Sequence, residues 1–245
     1  MVKAGLHLAR QVMYANLAES FLQPPAADFP PWRPPDRMLG RLPRQAGRPE
    51  VAEGLDMVRE WHIAAATKSL SEVLGELRLD YTRLFMGPGQ VLAPPWESVY
   101  RSPKRLLFQE PTAQVRVFYR RHGLEVPRLN QEPDDHFGLE LAFMAVLAER
   151  TVAAVGKSGR SLSQTGAARA AGGDGKGQEG VGPNPVAHLL AEQHRFLREH
   201  LGQWVNDFTQ DVQKHAATVY FRGLALVARG LVLADEEWLA ELIDG

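Results

Sequence analysis

The chain has 245 residues, of which 44% are hydrophobic, so it is long enough to bury one substantial core. Its 28 basic and 29 acidic residues give a formal net charge of -1, so no overall positive field exists that would hold a nucleic-acid backbone. The absence of cysteine excludes disulfides and thiolate chemistry and fits a reducing, cytoplasmic location. We therefore expect a cytoplasmic protein that does not bind nucleic acid.

The first predicted element is a helix over residues 2–22. Apolar residues recur there at helical spacing, and Pro24-Pro25 ends the pattern. Lys3, His7 and Arg10 interrupt the apolar residues, so the segment lacks the unbroken stretch of a signal peptide or a membrane span. We expect no stable membrane insertion. A proline-rich connector follows over residues 24–35.

The later apolar patterns predict more helices and no strand. Helices are predicted at 49–66, from about 69 to 87, and at 112–121, 133–155, 185–208, 212–233 and 235–243. Alternating strand patterns are missing, which favours an all-α fold, a single-domain helical bundle spanning residues 1–245. Residues 156–184 are rich in Gly, Ser and Ala and poor in large apolar residues, so they are predicted to form a flexible insertion within that domain.

A first unusual cluster follows the third predicted helix. Gly87-Pro88-Gly89 ends the helix, and Pro94-Pro95 hold the next stretch extended, so that Trp96 and Tyr100 are presented beside the end of the helix. The aromatic and apolar residues of this cluster are Tyr81, Leu84, Phe85, Pro95, Trp96 and Tyr100. Such residues suit a surface for an apolar peptide, or they fill the core.

A second cluster, Glu132-Pro133-Asp134-Asp135-His136, precedes an apolar helix. Pro133 fits the first helical position, which places Asp134 and Asp135 in the first turn. The functional interpretation is an acidic rim of Glu132, Asp134 and Asp135 that binds an arginine-containing peptide, with Trp96 and Tyr100 taking its apolar part. It requires the two clusters to be neighbours in space. The alternative interpretation is that the aspartates only start the helix and that His136 is a core residue held by Glu140, four residues on.

Enzymatic alternatives find less support in this cluster. His136 and Glu140 offer two metal ligands, and no second histidine motif lies near them. A small helical metal-dependent hydrolase centred on Asp135, His136 and Glu140 is the alternative function, but it lacks a credible nucleophile.

Three motifs in order resemble those of one known family: Tyr81-x-x-Leu84-Phe85-x-Gly87-Pro88, then Ala93-Pro94-Pro95-Trp96-Glu97-Ser98-Val99-Tyr100, then Glu132-Pro133-Asp134-Asp135-His136-x-x-x-Glu140. The chain resembles the TorD/DmsD/NarJ-like redox-enzyme maturation chaperones, and is most similar to the TorD/DmsD branch. These are all-helical cytoplasmic proteins that bind twin-arginine signal peptides of molybdoenzymes and catalyse no reaction.

The resemblance implies partners and site residues. The partners would be the signal peptide and the apo-form of a molybdenum oxidoreductase catalytic subunit, held until cofactor loading and folding are complete before export. The peptide-binding positions would include the aromatic and apolar residues of the first cluster, together with Asp135 and His136. We assign no cofactor and no metal to the chain. The protein is expected to be a monomer or a domain-swapped dimer.

Overall fold

The structure is a computed structural model that describes residues 2–26, 48–87, 89–126, 132–168 and 184–244. Its helices are α1 (Val2–Leu22), α2 (Pro49–Ala65), α3 (Leu70–Tyr81), α4 (Glu97–Arg101), α5 (Glu110–Arg121), α6 (Phe137–Ala168), α7 (Pro185–Phe196), α8 (Gly202–His215) and α9 (Val219–Asp244). Two π-helical turns, Thr82–Met86 and Leu197–Leu201, follow α3 and α7 directly. These ranges contain no β-strand, so the predicted all-α class is confirmed.

Two helix starts are capped by side chains that adjoin them in the sequence. Ser69 caps α3 reciprocally, because its Oγ accepts from the Glu72 N–H at 3.3 Å while Glu72 Oε2 accepts from the Ser69 N–H at 2.8 Å. The Asn184 side chain accepts from the Val186 N–H at 3.0 Å, immediately before Pro185 opens α7. The predicted bounds of α1 match the structure, and those of α2 and α3 match it to within a few residues.

Helix α6 differs from its prediction at both ends. It begins at Phe137 rather than Pro133, and the two aspartates lie in a turn before it. It also continues to Ala168, so residues 156–168, predicted as part of the flexible insertion, are helical. Extending an existing helix needs no new nucleation, which lets α6 continue through a stretch that includes three glycines and three serines. Residues 169–183 of the predicted insertion, like residues 27–35 of the predicted proline-rich connector, lie outside the described residues.

The C-terminal helices also break at a different place. A break was predicted between residues 208 and 212 and another near 234, whereas the structure separates α8 from α9 at residues 216–218 and keeps α9 continuous. Asp80 of α3 causes the observed break, because its carboxylate accepts from the backbone N–H groups of Ala217 at 3.0 Å and Thr218 at 2.7 Å. A cap that comes from another helix leaves no local sequence signal.

One core unites the bundle. Its buried apolar residues come from α1, α2, α3 and α5 to α9, which confirms the predicted single helical bundle. Helix α1 packs along α6, and α9 packs against α2 and α8. The α2–α9 crossing is close because glycines face each other: a Cβ on Gly54 would lie 2.5 Å from the Gly223 carbonyl oxygen, and one on Gly223 would lie 2.7 Å from the Gly54 carbonyl oxygen.

A buried ion pair joins the first helix to the last. Arg10 in α1 binds both carboxylate oxygens of Asp235 in α9, at 2.5 and 2.7 Å. Tyr14 donates to the same carboxylate at 2.9 Å, and Arg10 also donates to Gln193 in α7 at 2.6 Å. We call Arg10, Tyr14, Gln193 and Asp235 the α1–α9 clasp.

No helix in the described part of the chain is long and apolar enough to cross a membrane.

Candidate functional site

The two sequence clusters meet at one corner of the bundle. Trp96 and His136 form an isolated antiparallel bridge, flanked by hydrogen bonds from the Phe137 N–H to the Pro95 carbonyl at 2.8 Å and from the Glu97 N–H to the Asp135 carbonyl at 3.0 Å. The Trp96 and His136 rings pack edge to face with centroids 5.8 Å apart. The requirement that the clusters be neighbours is therefore met. We call residues 93–100 and 132–140 together the Trp96–His136 corner.

The π-helical turn after α3 delivers the first cluster to this corner. The Gly87 N–H donates back to the Thr82 carbonyl at 2.8 Å, and Gly87 adopts a φ of 79°, which a side chain would disfavour. The Ala93 N–H then donates to the Leu84 carbonyl at 2.9 Å, so the chain folds back over the turn before it reaches Pro94. Trp96 is thereby held against the start of α6. The short helix α4, which was not predicted, follows at once.

Asp135 is a buried structural carboxylate. One of its oxygens accepts from the Ser98 N–H at 2.6 Å and so caps α4 from outside, while the other accepts from the Thr112 hydroxyl of α5 at 2.8 Å. Burial raises the pKa of Asp135, and the hydrogen bonds from Ser98 and Thr112 oppose that rise. In this arrangement Asp135 has no free oxygen at the surface and fastens α4 and α5 to the start of α6.

Asp134 is also paired inside the protein. Its carboxylate is buried and binds the guanidinium of Arg116 in α5, at 2.6 Å for the shortest of three contacts. Of the three residues of the predicted acidic rim, only Glu132 exposes its side chain substantially, at 43%. The predicted rim is therefore not a surface feature, because the turn that precedes α6 directs both aspartates towards α4 and α5.

His136 is buried and uncharged. Burial lowers its pKa to about 4, and its Nδ1 accepts a hydrogen bond from the Gly138 N–H at 3.1 Å, at the first turn of α6. The predicted pairing with Glu140 is wrong. Glu140 instead accepts from the indole N–H of Trp204 at 3.1 Å, because the fold brings α8 against this face of α6.

Glu140 belongs to a buried carboxyl pair that sequence reasoning missed. Its pKa is raised well above the usual value, first by burial and then by the charge of the neighbouring Glu97. Glu97 is itself buried and bonds His200 Nδ1 at 3.0 Å, and it also pairs with Arg101. The sequence carries only a weak signal for this pair, namely that Glu97 adjoins Trp96 in the aromatic cluster. Its partner Arg101 lies in the next turn, but His200 lies about one hundred residues away.

The aromatic and apolar residues of the first cluster divide into core and surface. Tyr81, Leu84 and Phe85 are core residues, and the Tyr81 hydroxyl donates to the Phe21 carbonyl at 2.9 Å. Pro95 is buried as well. Tyr100 is half-buried, stacks on Trp204 with centroids 5.5 Å apart and donates to Asp211 at 3.0 Å.

Trp96 is half-buried, and its indole nitrogen is buried with no hydrogen-bond partner among the described residues. An indole N–H usually finds a partner when it is buried. Trp96 is thus an aromatic side chain at the surface with an unused donor.

A metal centre at the corner is not supported, since the residues that the structure describes contain no group of three or more His, Asp or Glu side chains able to hold an ion.

The corner lies within the part of the chain that matches known proteins. The family model described as nitrate reductase delta subunit matches residues 48–210. The probable Tat proofreading chaperone DmsD of Haemophilus influenzae is 24% identical over 193 residues, which cover 76% of this chain and 75% of the relative. The Tat proofreading chaperone DmsD of Salmonella typhi is 30% identical over 181 residues, covering 74% and 68%.

The chaperone protein TorD of Vibrio cholerae strain O395 is 26% identical over 174 residues, which cover 69% of this chain and 64% of the relative. These relatives are named as chaperones and not as enzymes. Two thirds of the chain matches a single family model, and the three motifs meet at one corner of one helical bundle. The chain therefore belongs to the TorD/DmsD/NarJ-like family of chaperones.

Proposed function

We propose that the protein binds the twin-arginine signal peptide of a molybdenum oxidoreductase catalytic subunit and holds the apo-form of that subunit in the cytoplasm until its cofactor is loaded and it has folded. The names of the relatives, Tat proofreading chaperone DmsD and chaperone protein TorD, support a role of this kind. The protein would act by binding alone, with no covalent step of its own.

The observation that carries the proposal is the state of Trp96. Trp96 is half-buried, so part of its ring offers apolar area to an incoming peptide, while its N–H is buried and has no hydrogen-bond partner among the described residues. A peptide carbonyl would satisfy that donor once the ring turns to expose the N–H, since the nitrogen is buried in the free protein. Aromatic anchors of this type commonly dominate the energetics of binding interfaces.

The predicted peptide-binding residues then have two roles in the proposal. Trp96, Tyr100 and Glu132 reach the surface and would contact the peptide. The buried residues would hold the shape of the corner: Tyr81, Leu84, Phe85, Pro95, Asp134, Asp135 and His136. Of these buried residues, Pro95, Asp135 and His136 lie directly beside Trp96, because the Trp96–His136 bridge and its flanking backbone hydrogen bonds join the two segments.

Calorimetric titration with synthetic peptides tests the proposal. Signal peptides of molybdoenzymes encoded near the gene are titrated into the purified protein, each beside a version with both arginines changed to lysine. We expect saturable binding of the native peptide and weaker binding of the lysine version, because lysine cannot reproduce the forked donors of arginine. Absence of binding to every such peptide contradicts the proposal.

A loop beside Tyr100 favours a second candidate function, docking on a folded subunit. Leu106 and Phe108 are 49% and 50% exposed, and Leu107 between them is also exposed. Arg105 and Phe108 adopt positive φ values of 50° and 54°, which are strained for residues other than glycine. A strained apolar loop at the surface suits contact with a folded partner. Binding to a folded subunit but to no isolated peptide would support this function over the first.

A further inference from the structure

Because Asp134 and Asp135 are used internally, the arginines of a signal peptide need other carboxylates. Three of the cavities among the described residues differ in the charge of their lining. A cavity of about 560 Å³ is lined by Arg101, Arg121 and Arg198, with Glu199 as its acidic residue. Its net positive lining would repel a peptide rich in arginine. A second cavity, of about 400 Å³, is lined by Arg101 and Glu110, whose opposite charges cancel.

The remaining cavity, of about 520 Å³, runs between α1 and α6 and has the opposite character. We call it the α1–α6 groove. Alanines form much of its lining, among them Ala15, Ala18, Ala142 and Ala145, so an incoming side chain meets methyl groups and finds space. Leu22 and Val146 add apolar surface. The volume lies within the range of about 300–1,000 Å³ that is typical of ligand sites.

Two carboxylates border this groove. Glu19 of α1 and Glu149 of α6 are both exposed, and neither has a hydrogen bond or an ion pair with another described residue. No lysine or arginine is among the described residues that line the groove. An apolar groove bordered by two carboxylates that no described residue pairs with is complementary to an apolar segment that carries positive charges.

The groove adjoins the Trp96–His136 corner. Leu22 lines the groove, and it packs so closely on the start of α6 that a Cβ on Gly138 would lie 2.5 Å from its Cγ. The Gly138 N–H is the group that His136 accepts from. From Gln11 to Leu22 the groove follows α1 for about 16 Å, which is the length of about three helical turns of a bound peptide.

We propose that the α1–α6 groove binds the signal peptide, with the apolar segment on the alanines and the paired arginines at Glu19 and Glu149. This inference rests on the proposed function and specifies where on the molecule it takes place. The arginines of the peptide would then bind Glu19 and Glu149 instead of the predicted acidic rim. The occupant is a basic, apolar segment of the cargo rather than a second copy or a segment of this chain.

Cross-linking locates the peptide directly, because the natural chain has no cysteine. A single thiol is introduced by Ala142→Cys in the groove or, as a control, by Ala52→Cys on the exposed face of α2. Each variant is mixed with a signal peptide that carries a thiol-reactive group in its apolar segment. We expect the groove variant to cross-link much more than the control, and unlabelled peptide to compete.

Charge reversal tests the arginine contacts. The double variant Glu19→Lys/Glu149→Lys should bind the twin-arginine peptide about tenfold more weakly or worse at low salt, since attraction becomes repulsion at two places. Glu53→Lys, an exposed reversal on α2, should bind as the unmodified protein does. For a peptide with both arginines changed to glutamine, the double reversal should have little effect. Equal weakening for charged and uncharged peptides would overturn the proposal, because it would indicate a general structural change.

The outcomes separate this inference from the proposed function. If the unmodified protein binds no signal peptide, the proposed function fails. If it binds the peptide but Ala142→Cys cross-links no more than Ala52→Cys, the function stands and the groove is not the site. A thiol at residue 142 that resists small maleimides without peptide would mean that the chain covers its own groove. If the Ala142→Cys variant forms a disulfide-linked dimer, a second copy of the chain covers the groove. Either result overturns the proposal.

Discussion

Trp96 is the residue at which binding and stability can be separated. Trp96→Phe keeps most of the apolar area and the packing against His136 but removes the buried N–H that has no partner among the described residues. We expect the thermal midpoint to stay level or rise slightly, because an unsatisfied buried donor is lost. Peptide affinity should fall severalfold if the N–H donates to the peptide. Calorimetry and a melting curve on the same sample test both expectations, and unchanged affinity would contradict the role of the donor.

His136 gives the stability of the protein a pH dependence of known sign. Its pKa of about 4 in the folded protein lies below the ordinary value of 6.5, so between these values the unfolded chain binds a proton that the folded chain does not. The contribution is fully present above about pH 6.5 and is lost as the pH falls towards 4. His136→Asn removes the titration and leaves an oxygen for the Gly138 N–H.

Urea unfolding of both proteins between pH 7 and pH 4 measures this contribution. The stability difference between wild type and His136→Asn should shrink on acidification by on the order of 3 kcal/mol. The raised pKa values of Glu140 and Asp135 instead favour the folded state as the pH falls. Both residues are present in both proteins, so their contribution cancels in the stability difference. A difference that stays constant across the range would show that His136 titrates normally in the folded protein.

Residue roles were only partly readable from the sequence. The periodicity that placed Tyr81, Leu84 and Phe85 on one helix face could not tell a binding face from a core face, and the structure buries all three. The spacing of His136 and Glu140 suggested a pair, yet His136 bonds the nearby Gly138 backbone and Glu140 bonds Trp204 of α8. Local spacing limits which contacts are possible, whereas tertiary packing selects among them.

At the scale of elements, Asp135 is predicted to hold α4 and α5 in place. Asp135→Ala leaves the Ser98 N–H and the Thr112 hydroxyl without their buried acceptor, at a cost of about 1–3 kcal/mol for each. Asp135→Asn should cost less, because its amide oxygen still accepts from Ser98. Glu132→Gln, at an exposed side chain, should stay within about 0.5 kcal/mol of wild type. Urea unfolding measures all three, and a wild-type midpoint for Asp135→Ala would refute the capping role.

The α2–α9 crossing depends on the absence of side chains at two positions. Gly54→Ala places a methyl group 2.5 Å from the Gly223 carbonyl oxygen, so the helices must separate or distort, at a cost of about 1–3 kcal/mol. Gly75→Ala is the matched control, because it lies in α3 with nothing within 4 Å of the added methyl. It should stabilise the protein by about 0.5–1 kcal/mol through helix propensity. Thermal unfolding of the two variants should therefore shift in opposite directions.

Elements with local signals were predicted well, and elements set by tertiary contacts were not. Apolar spacing and Pro24 defined α1, whose predicted bounds agree with the structure. The break between α8 and α9 depends on Asp80 of α3, which no local pattern at residues 216–218 reveals. The sequence predicts a new helix over residues 235–243, which begins at Asp235. Asp235 lies inside α9 instead, because Arg10 neutralises it there.

Across the whole molecule, the α1–α9 clasp ties together parts of the chain that are far apart in sequence. Gln193, which accepts from Arg10, also donates to Thr151, so the clasp connects α1, α6, α7 and α9. Arg10 and Asp235 are both almost fully buried. A buried pair of this kind gains little over apolar packing, but each partner strongly needs the other. The clasp also anchors α1, one wall of the proposed peptide groove.

Removing one member of the clasp should therefore cost more than removing both. Asp235→Ala leaves the Arg10 guanidinium buried without its counter-charge, and we expect a loss of about 3–5 kcal/mol. The double variant Arg10→Met/Asp235→Leu replaces the charges with apolar side chains of similar size and should unfold at a higher urea concentration than Arg10→Met alone or Asp235→Leu alone. Parallel urea titrations with a common slope test this expectation. Additive losses in the double variant would mean that the two side chains stabilise the bundle independently, and that α1 is held to α9 by its apolar contacts alone.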